Sequence, residues 1–201
     1  MKIFCIGRNY VDHAKELKNK VPSKPLVFMK PPTALSYNRK VPYPPFSKSV
    51  HYEIELVLHV SKGGKNIKQS RAKKHIGAIA IGIDYTARDI QAVCKSKGHP
   101  WELAKGFDNA ATVSPLYHIS DFNLSKTKFS LHLNGNEVQS GNSKDMIFKP
   151  DYLVHYLSQY FTLEAGDLIY TGTPAGVGPI KKGDILEGRL GDSLILVNEI
   201  V

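Results

Sequence analysis

Tyr52-Glu53-Ile54-Glu55-Leu56-Val57-Leu58-His59-Val60 is the stretch on which the fold turns. Its alternate residues Tyr52, Ile54, Leu56, Leu58 and Val60 form an apolar set with the period of two of a β-strand. Glu53 and Glu55 therefore share the opposite face, with side chains roughly 6–7 Å apart along the strand. A half-buried strand showing water its polar face produces the same pattern. Asp84 changes the reading. It closes the apolar run 76–83, a second buried strand, so three carboxylates stand at the ends of two strands. Carboxylate oxygens are hard ligands suited to a divalent metal.

Beyond Asp84, residues 86–95 read as a helix, with Thr86 and Asp89 spaced as a capping box and Gly98 as the stop. Arg88, Gln91 and Lys95 then lie at i, i+3 and i+7 and give one helix face a polar, cationic stripe beside the carboxylates. Near the start of the chain, residues 8–17 read as a short helix that places His13 and Glu16 one turn apart. A carboxylate on one imidazole nitrogen fixes the tautomer and leaves the other nitrogen basic, which suits activation of a water. No second histidine follows at the spacing of a zinc protease helix, so a zinc site is not expected. Residues 100–108 surround Lys105 with bulky apolar groups and make it a candidate buried cation for an oxyanion or enolate. The run Tyr170-Thr171-Gly172-Thr173-Pro174-Ala175-Gly176 reads as a tight loop whose amides can approach an anion. It lacks the Gly-Lys-Ser/Thr of a nucleotide loop and leads into a strand-like segment, which excludes a dinucleotide fingerprint.

The C-terminal part is mostly strands. Residues 128–133 and 137–139 flank Asn134-Gly135, a hairpin signal. A helix is expected over about 150–160, and Gly166-Asp167 and Gly183-Asp184 repeat as turn-plus-strand units before a last strand over 193–197. Strands with a few inserted helices predict an α+β fold. The chain has 201 residues, 42% of them hydrophobic, enough for one core, and no linker divides it, so residues 1–201 are expected to form a single catalytic domain. With no charged-then-apolar leader and no run near 18 apolar residues, a cytoplasmic protein without a membrane partner is expected. Cys5 and Cys94 are too few for a disulfide framework and lack metal-ligand spacing. The net charge of +9 and the cluster Lys62, Lys65, Lys68, Arg71, Lys73 and Lys74 raise a non-enzymatic, basic nucleic-acid-binding module as the competing class. No nucleic-acid motif accompanies them and no aromatics are interleaved, so no nucleic-acid partner is expected. The positive charge instead suits steering of small acids.

Taken in order, Gly7-Arg8-Asn9-Tyr10 with His13 and Glu16, Lys30-Pro31, His51-Tyr52-Glu53-Ile54-Glu55-Leu56, Asp84 with Arg88, Asp89 and Gln91, Ala104-Lys105, Asp145-Met146-Ile147-Phe148 and Thr171-Gly172-Thr173-Pro174 resemble the fumarylacetoacetate hydrolase family, in its short acylpyruvate hydrolase and oxaloacetate decarboxylase branch. The likeness covers nearly the whole chain. It implies a mixed β-sandwich roll with short helices, and a homodimer. It further implies that Glu53, Glu55 and Asp84 bind Mg²⁺ or Mn²⁺, that His13 and Glu16 activate water, and that Lys105, Gln91 and Thr173 contact substrate, with Arg8, Arg88 and Lys30 as further members of the site. The segment 109–115 departs from the versions common in that family and leaves the substrate tail open. The expected chemistry is cleavage of the carbon–carbon bond of a 2,4-dioxo acid to pyruvate and a carboxylic acid. Decarboxylation of oxaloacetate and keto–enol isomerisation of a 2-oxo acid are alternatives on the same enolate site.

Overall fold

The strands follow in chain order as β1 Ile3–Gly7, β2 Leu26–Lys30, β3 Leu35–Ser36, β4 Lys40–Val41, β5 Val50–Tyr52, β6 Ile54–Val60, β7 Ile76–Asp84, β8 Thr86–Ala87, β9 Ala111–Val113, β10 Tyr117–His118, β11 Lys128–Leu133, β12 Asn136–Asn142, β13 Leu168–Tyr170, β14 Gly178–Pro179, β15 Ile185–Leu190 and β16 Ser193–Ile200. The helices are α1 Val11–Glu16, α2 Arg88–Lys97, α3 Glu102–Lys105 and α4 Pro150–Tyr160. These assignments come from a computed structural model, which describes residues 1–17 and 19–201.

One sheet runs β2-β1-β13-β6-β7-β9-β3, with β10 also on β7; a second runs β12-β11-β15-β16-β4; a three-stranded ribbon joins β14, β5 and β8. Most pairs are antiparallel, whereas β1 with β13, β3 with β9 and β16 with β4 are parallel. The fold is thus the expected α+β arrangement, two mixed sheets with short helices. Leu56 and Leu58 of β6 and Ile79 and Ile81 of β7 pack in one core with Phe129, Leu131, Leu186 and Leu196 of the second sheet. Gly188 permits the close approach, since a Cβ there would lie 2.8 Å from Ile81 Cδ1. The other face of β6 is covered as well, by a smaller cluster of Ile3, Cys5, Val57, Ala80 and Tyr170. The strand that looked half-solvated is therefore buried on both faces, with only His59 partly exposed. Glu53 and Glu55 lie on the Val57 side, at the end of that second cluster.

The hairpin turns at Asn134 and Gly135, both with positive φ, and α4 covers the expected residues. The repeated turns are built alike: Asp167 accepts from Glu164 N and Asp184 from Lys181 N, each three residues back. Three expectations need correction. Thr86 and Ala87 do not begin a helix; they pair with His51 and Val50 as β8, and α2 starts at Arg88. The Thr86–Asp89 capping box is absent, because Asp89 accepts from Ser47 Oγ at 2.6 Å and Lys48 N at 2.8 Å. The first helix is confined to Val11–Glu16: Arg8 is left-handed at φ 60°, and the Asn9 side chain is committed to Phe148 and Thr171 backbone. The basic cluster leads into a 3₁₀ turn at Gln69–His75. Gly98 closes α2 in the left-handed conformation, as read. No helix among the described residues is long and apolar enough to cross a membrane.

Candidate active site

Strand register brings the three carboxylates together. Ile54 pairs with Ile83 and Glu55 with Gly82, and Asp84 N donates to Glu53 O at 2.8 Å, so the end of β7 lies against the start of β6. Ligand oxygens of Glu53, Glu55 and Asp84 all come within 4.8 Å of one another, and all three residues are buried. Gly172 N donates to Glu55 Oε2 at 2.6 Å. Only glycine serves at that point: φ is 103°, and a Cβ would stand 2.6 Å from the Asn9 Cβ.

Three cations balance the three carboxylates. Lys105, at the end of α3, places Nζ 2.8 Å from both Glu53 Oε2 and Asp84 Oδ2, with the Phe28 ring centroid 5.2 Å away. Arg88 bonds Glu53 through Nη2 and Gln91 Oε1 through Nη1 at 2.7 Å. Lys30 Nζ lies 2.8 Å from Asp84 Oδ1 but spends its directed hydrogen bonds on the carbonyls of Lys105 and Ala110. Asp84 Oδ1 is consequently buried and paired in charge without a directed hydrogen bond. A buried oxygen with an unused lone pair, among three hard donors, fits a divalent cation.

The carboxylates are electrically unlike. Burial pushes the Glu53 carboxyl up, but Lys105 and Arg88 more than reverse this and hold it far below the usual range. Burial pushes Glu55 well above that range, the Asp84 charge adds to the effect, and the Gly172 amide only partly opposes it. Burial opposes the charge on Lys105, yet Asp84 and Glu53 outweigh it and keep the ammonium firmly protonated.

His13 Nδ1 lies 3.3 Å from Glu16 Oε2, and Glu16 Oε1 accepts from Gly176 N at 3.0 Å. Glu16 thus orients the imidazole and moors α1 to the glycine-rich loop, whose amides bind the chain's own carboxylates. Burial lowers the His13 pKa from 6.5, against the pull of Glu53 and Glu16, so the ring is a neutral base.

Arg8, His13, Glu53, Glu55, Asp84, Arg88, Gln91, Lys105 and Thr173 line one cavity. Lys95 and Trp101 also line it, with Lys95 Nζ 5.5 Å from the Trp101 ring centroid. Glu16 touches the site through His13. Lys30 is the exception. Its side chain is fully buried behind Asp84 and braces backbone, so it is not placed beside a substrate. Sequence reading also passed over Gln139, on β12 of the other sheet. It accepts from Ile54 N at 2.9 Å and donates to Thr173 Oγ1 at 2.8 Å and Pro174 O at 2.9 Å. Nothing local in the sequence marks it, since its partners lie far along the chain.

A model of the fumarylacetoacetate (FAA) hydrolase C-terminal family matches residues 2–201. The mitochondrial oxaloacetate tautomerase of Mus musculus is 42% identical over 192 residues, spanning 94% of this chain and 86% of that protein. An oxaloacetate tautomerase of Escherichia coli (strain K12) is 40% identical over 188 residues, spanning 92% and 86%. Among solved structures, a fumarylpyruvate hydrolase from Pseudomonas aeruginosa in complex with Mn²⁺ and pyruvate superposes with a TM-score of 0.95 at 35% identity, covering 100% of this chain and 89% of that one.

Proposed function

The chain belongs to the fumarylacetoacetate hydrolase family and is an enzyme, and on that premise we propose that it acts on small 2-oxo acids through their enolates, hydrolysing the carbon–carbon bond of acylpyruvate-type 2,4-dioxo acids. The observation that carries this reading is His13, oriented by Glu16, in the same cavity as the carboxylate trio. Glu53, Glu55 and Asp84 would hold Mg²⁺ or Mn²⁺, which when bound supplies Lewis-acid polarisation of the 2-oxo group and positive charge against an enolate.

The chain's own residues do the rest. Glu16 faces Nδ1 of His13, so Nε2 takes a proton from water. The hydroxide adds to the distal carbonyl, the bond to C3 breaks, and its electron pair moves onto the 2-oxo oxygen of departing pyruvate. Lys105 donates to that oxygen. The His13 imidazolium returns its proton to C3, leaving pyruvate and a carboxylic acid. Arg8, Arg88, Gln91 and Thr173 hold the carboxylate and the tail.

A second reading, keto–enol tautomerisation of oxaloacetate, has its own support: the two curated relatives carry that name at higher identity than the hydrolase neighbour. It uses His13 to take and return the C3 proton, with no attacking water. Both readings keep one catalytic unit, and we place a partner copy of a homodimer on the apolar groove around Met29, Phe46, Leu103 and Phe107, where Phe46 and Leu103 stand exposed.

The test is a panel of acylpyruvates and oxaloacetate with Mg²⁺ or Mn²⁺, following pyruvate release and the decay of enol absorbance separately. Pyruvate from an acylpyruvate supports hydrolysis, and pyruvate from oxaloacetate marks decarboxylation. Accelerated enol decay without pyruvate supports tautomerisation. Silence on every substrate would sink the proposal.

A further inference from the structure

Gln139 is buried, and its orientation is forced by its neighbours. Ile54 N can only donate, so the side-chain atom 2.9 Å from it is the oxygen. The other terminal atom is therefore the NH₂. That assignment agrees with its second contact, since Pro174 O can only accept. Thr173 Oγ1, 2.8 Å from the same nitrogen, must then act as an acceptor toward Gln139. A hydroxyl that accepts on one side still has its own proton to give. Among the described residues nothing accepts that proton, and Thr173 is 2% exposed and lines the cavity beside Glu53, Glu55 and His13.

We infer that Gln139 is a positioning residue: by donating to Thr173 Oγ1 it turns the threonine hydroxyl into a fixed donor aimed into the cavity, where it holds an oxygen of the 2-oxo acid carboxylate. This rests on the reading above that Thr173 contacts substrate. The arrangement reaches across the fold. One amide on β12 joins the Ile54 peptide between two ligand carboxylates to the loop that carries Thr173. The loop sits against the same strand, since a Cβ on Gly176 would lie 2.1 Å from Val138 O. The metal strand and the substrate loop are thereby referenced to one side chain.

The test uses the full chain loaded with Mn²⁺ and pyruvate as the probe, read by calorimetry, with Mn²⁺ affinity measured separately. Gln139→Met keeps much of the volume and removes all three hydrogen bonds. Gln139→Glu keeps the acceptor for Ile54 N but offers Thr173 no N–H and draws its proton away, and it carries the same comparison if the methionine variant does not fold. Each, like Thr173→Val, should weaken pyruvate binding about ten- to a hundredfold, as loss of a hydrogen bond to a charged group does. Mn²⁺ affinity should stay within about threefold, the loss should appear in KM more than in kcat, and Gln139→Glu with Thr173→Val should be no worse than Thr173→Val alone. Additive losses, or a collapse of Mn²⁺ affinity, would show that Gln139 merely braces the strand and would overturn the inference. Wild-type pyruvate binding in both Gln139 variants, with weak binding in Thr173→Val, would also overturn it while leaving the substrate contact standing. Wild-type binding in Thr173→Val would remove that contact and the inference together.

Discussion

Two lysines, Lys30 and Lys105, flank Asp84, both buried and both 2.8 Å from one of its oxygens. They do different things. The Lys30 ammonium has the carbonyls of Lys105 and Ala110 as its directed partners and meets Asp84 Oδ1 in charge alone. Lys105 meets two carboxylates, and of its three donors one is left for the cavity. Burial and charge pairing are alike in the two. What separates a brace from a working cation is whether its hydrogens end on backbone or on groups that also serve a ligand.

The strongest way to break this comparison is Lys30→Met. It removes the cation from Asp84 Oδ1 and from the Lys105 and Ala110 carbonyls, and breaking a buried pair by removing one partner costs about 3–5 kcal/mol. Denaturant unfolding of the metal-free protein should show that loss, while turnover of the Mn²⁺-saturated folded protein falls less than in Lys105→Met. A stability change under about 1 kcal/mol, small for a buried pair, would mean that Lys30 is no brace. Lys105→Met should strike the chemistry: turnover down by about 10²–10³, the worth of one oxyanion donor. Unchanged kcat would remove it from the chemistry.

The two glutamates sharpen the contrast further. Glu53, held ionised by Lys105 and Arg88, needs no deprotonation to bind an ion, whereas burial and the Asp84 charge raise the Glu55 pKa well above the usual range, so its proton is the one an ion must displace. Mn²⁺ affinity should therefore rise with pH, by up to about tenfold per unit below the Glu55 pKa. Isotherms at several pH values, with proton release measured in buffers of different ionisation enthalpy, check this; a pH-independent affinity would contradict it. The smallest effect concerns His13. Burial lowers its pKa from 6.5, so acid must go further before the base is lost. The acid limb of kcat/KM at saturating metal is expected below pH 6.5, and a limb above that value would assign it to another group.

Much of this site was legible in the sequence, because it depends on short-range rules. Period two put Glu53 and Glu55 on one face, the end of an apolar run marked Asp84, and one helical turn joined His13 to Glu16. What escaped was set by distant partners. Thr86 and Ala87 had helix-like neighbours, yet a strand more than thirty residues earlier captured them. Asp89 had the spacing of a cap, but Ser47 and Lys48 claimed its oxygens. Lys30 carried the right charge in the right motif, and only the tertiary position of the Ala110 carbonyl shows where it points. Gln139 joins two sheets, and no pattern within β12 records that.

Trp101 is the chain's sole tryptophan, and it stands in the cavity wall with the Lys95 ammonium over its ring and Phe28 in T-shaped contact with it. Its emission therefore comes from one place, and that place is the site. Mn²⁺, being paramagnetic, should quench it on binding where Mg²⁺ does not, and an anion drawing Lys95 off the indole face should shift its wavelength. The protein thus carries its own optical probe, and titrations of metal and of 2-oxo acid can be followed on the unlabelled chain.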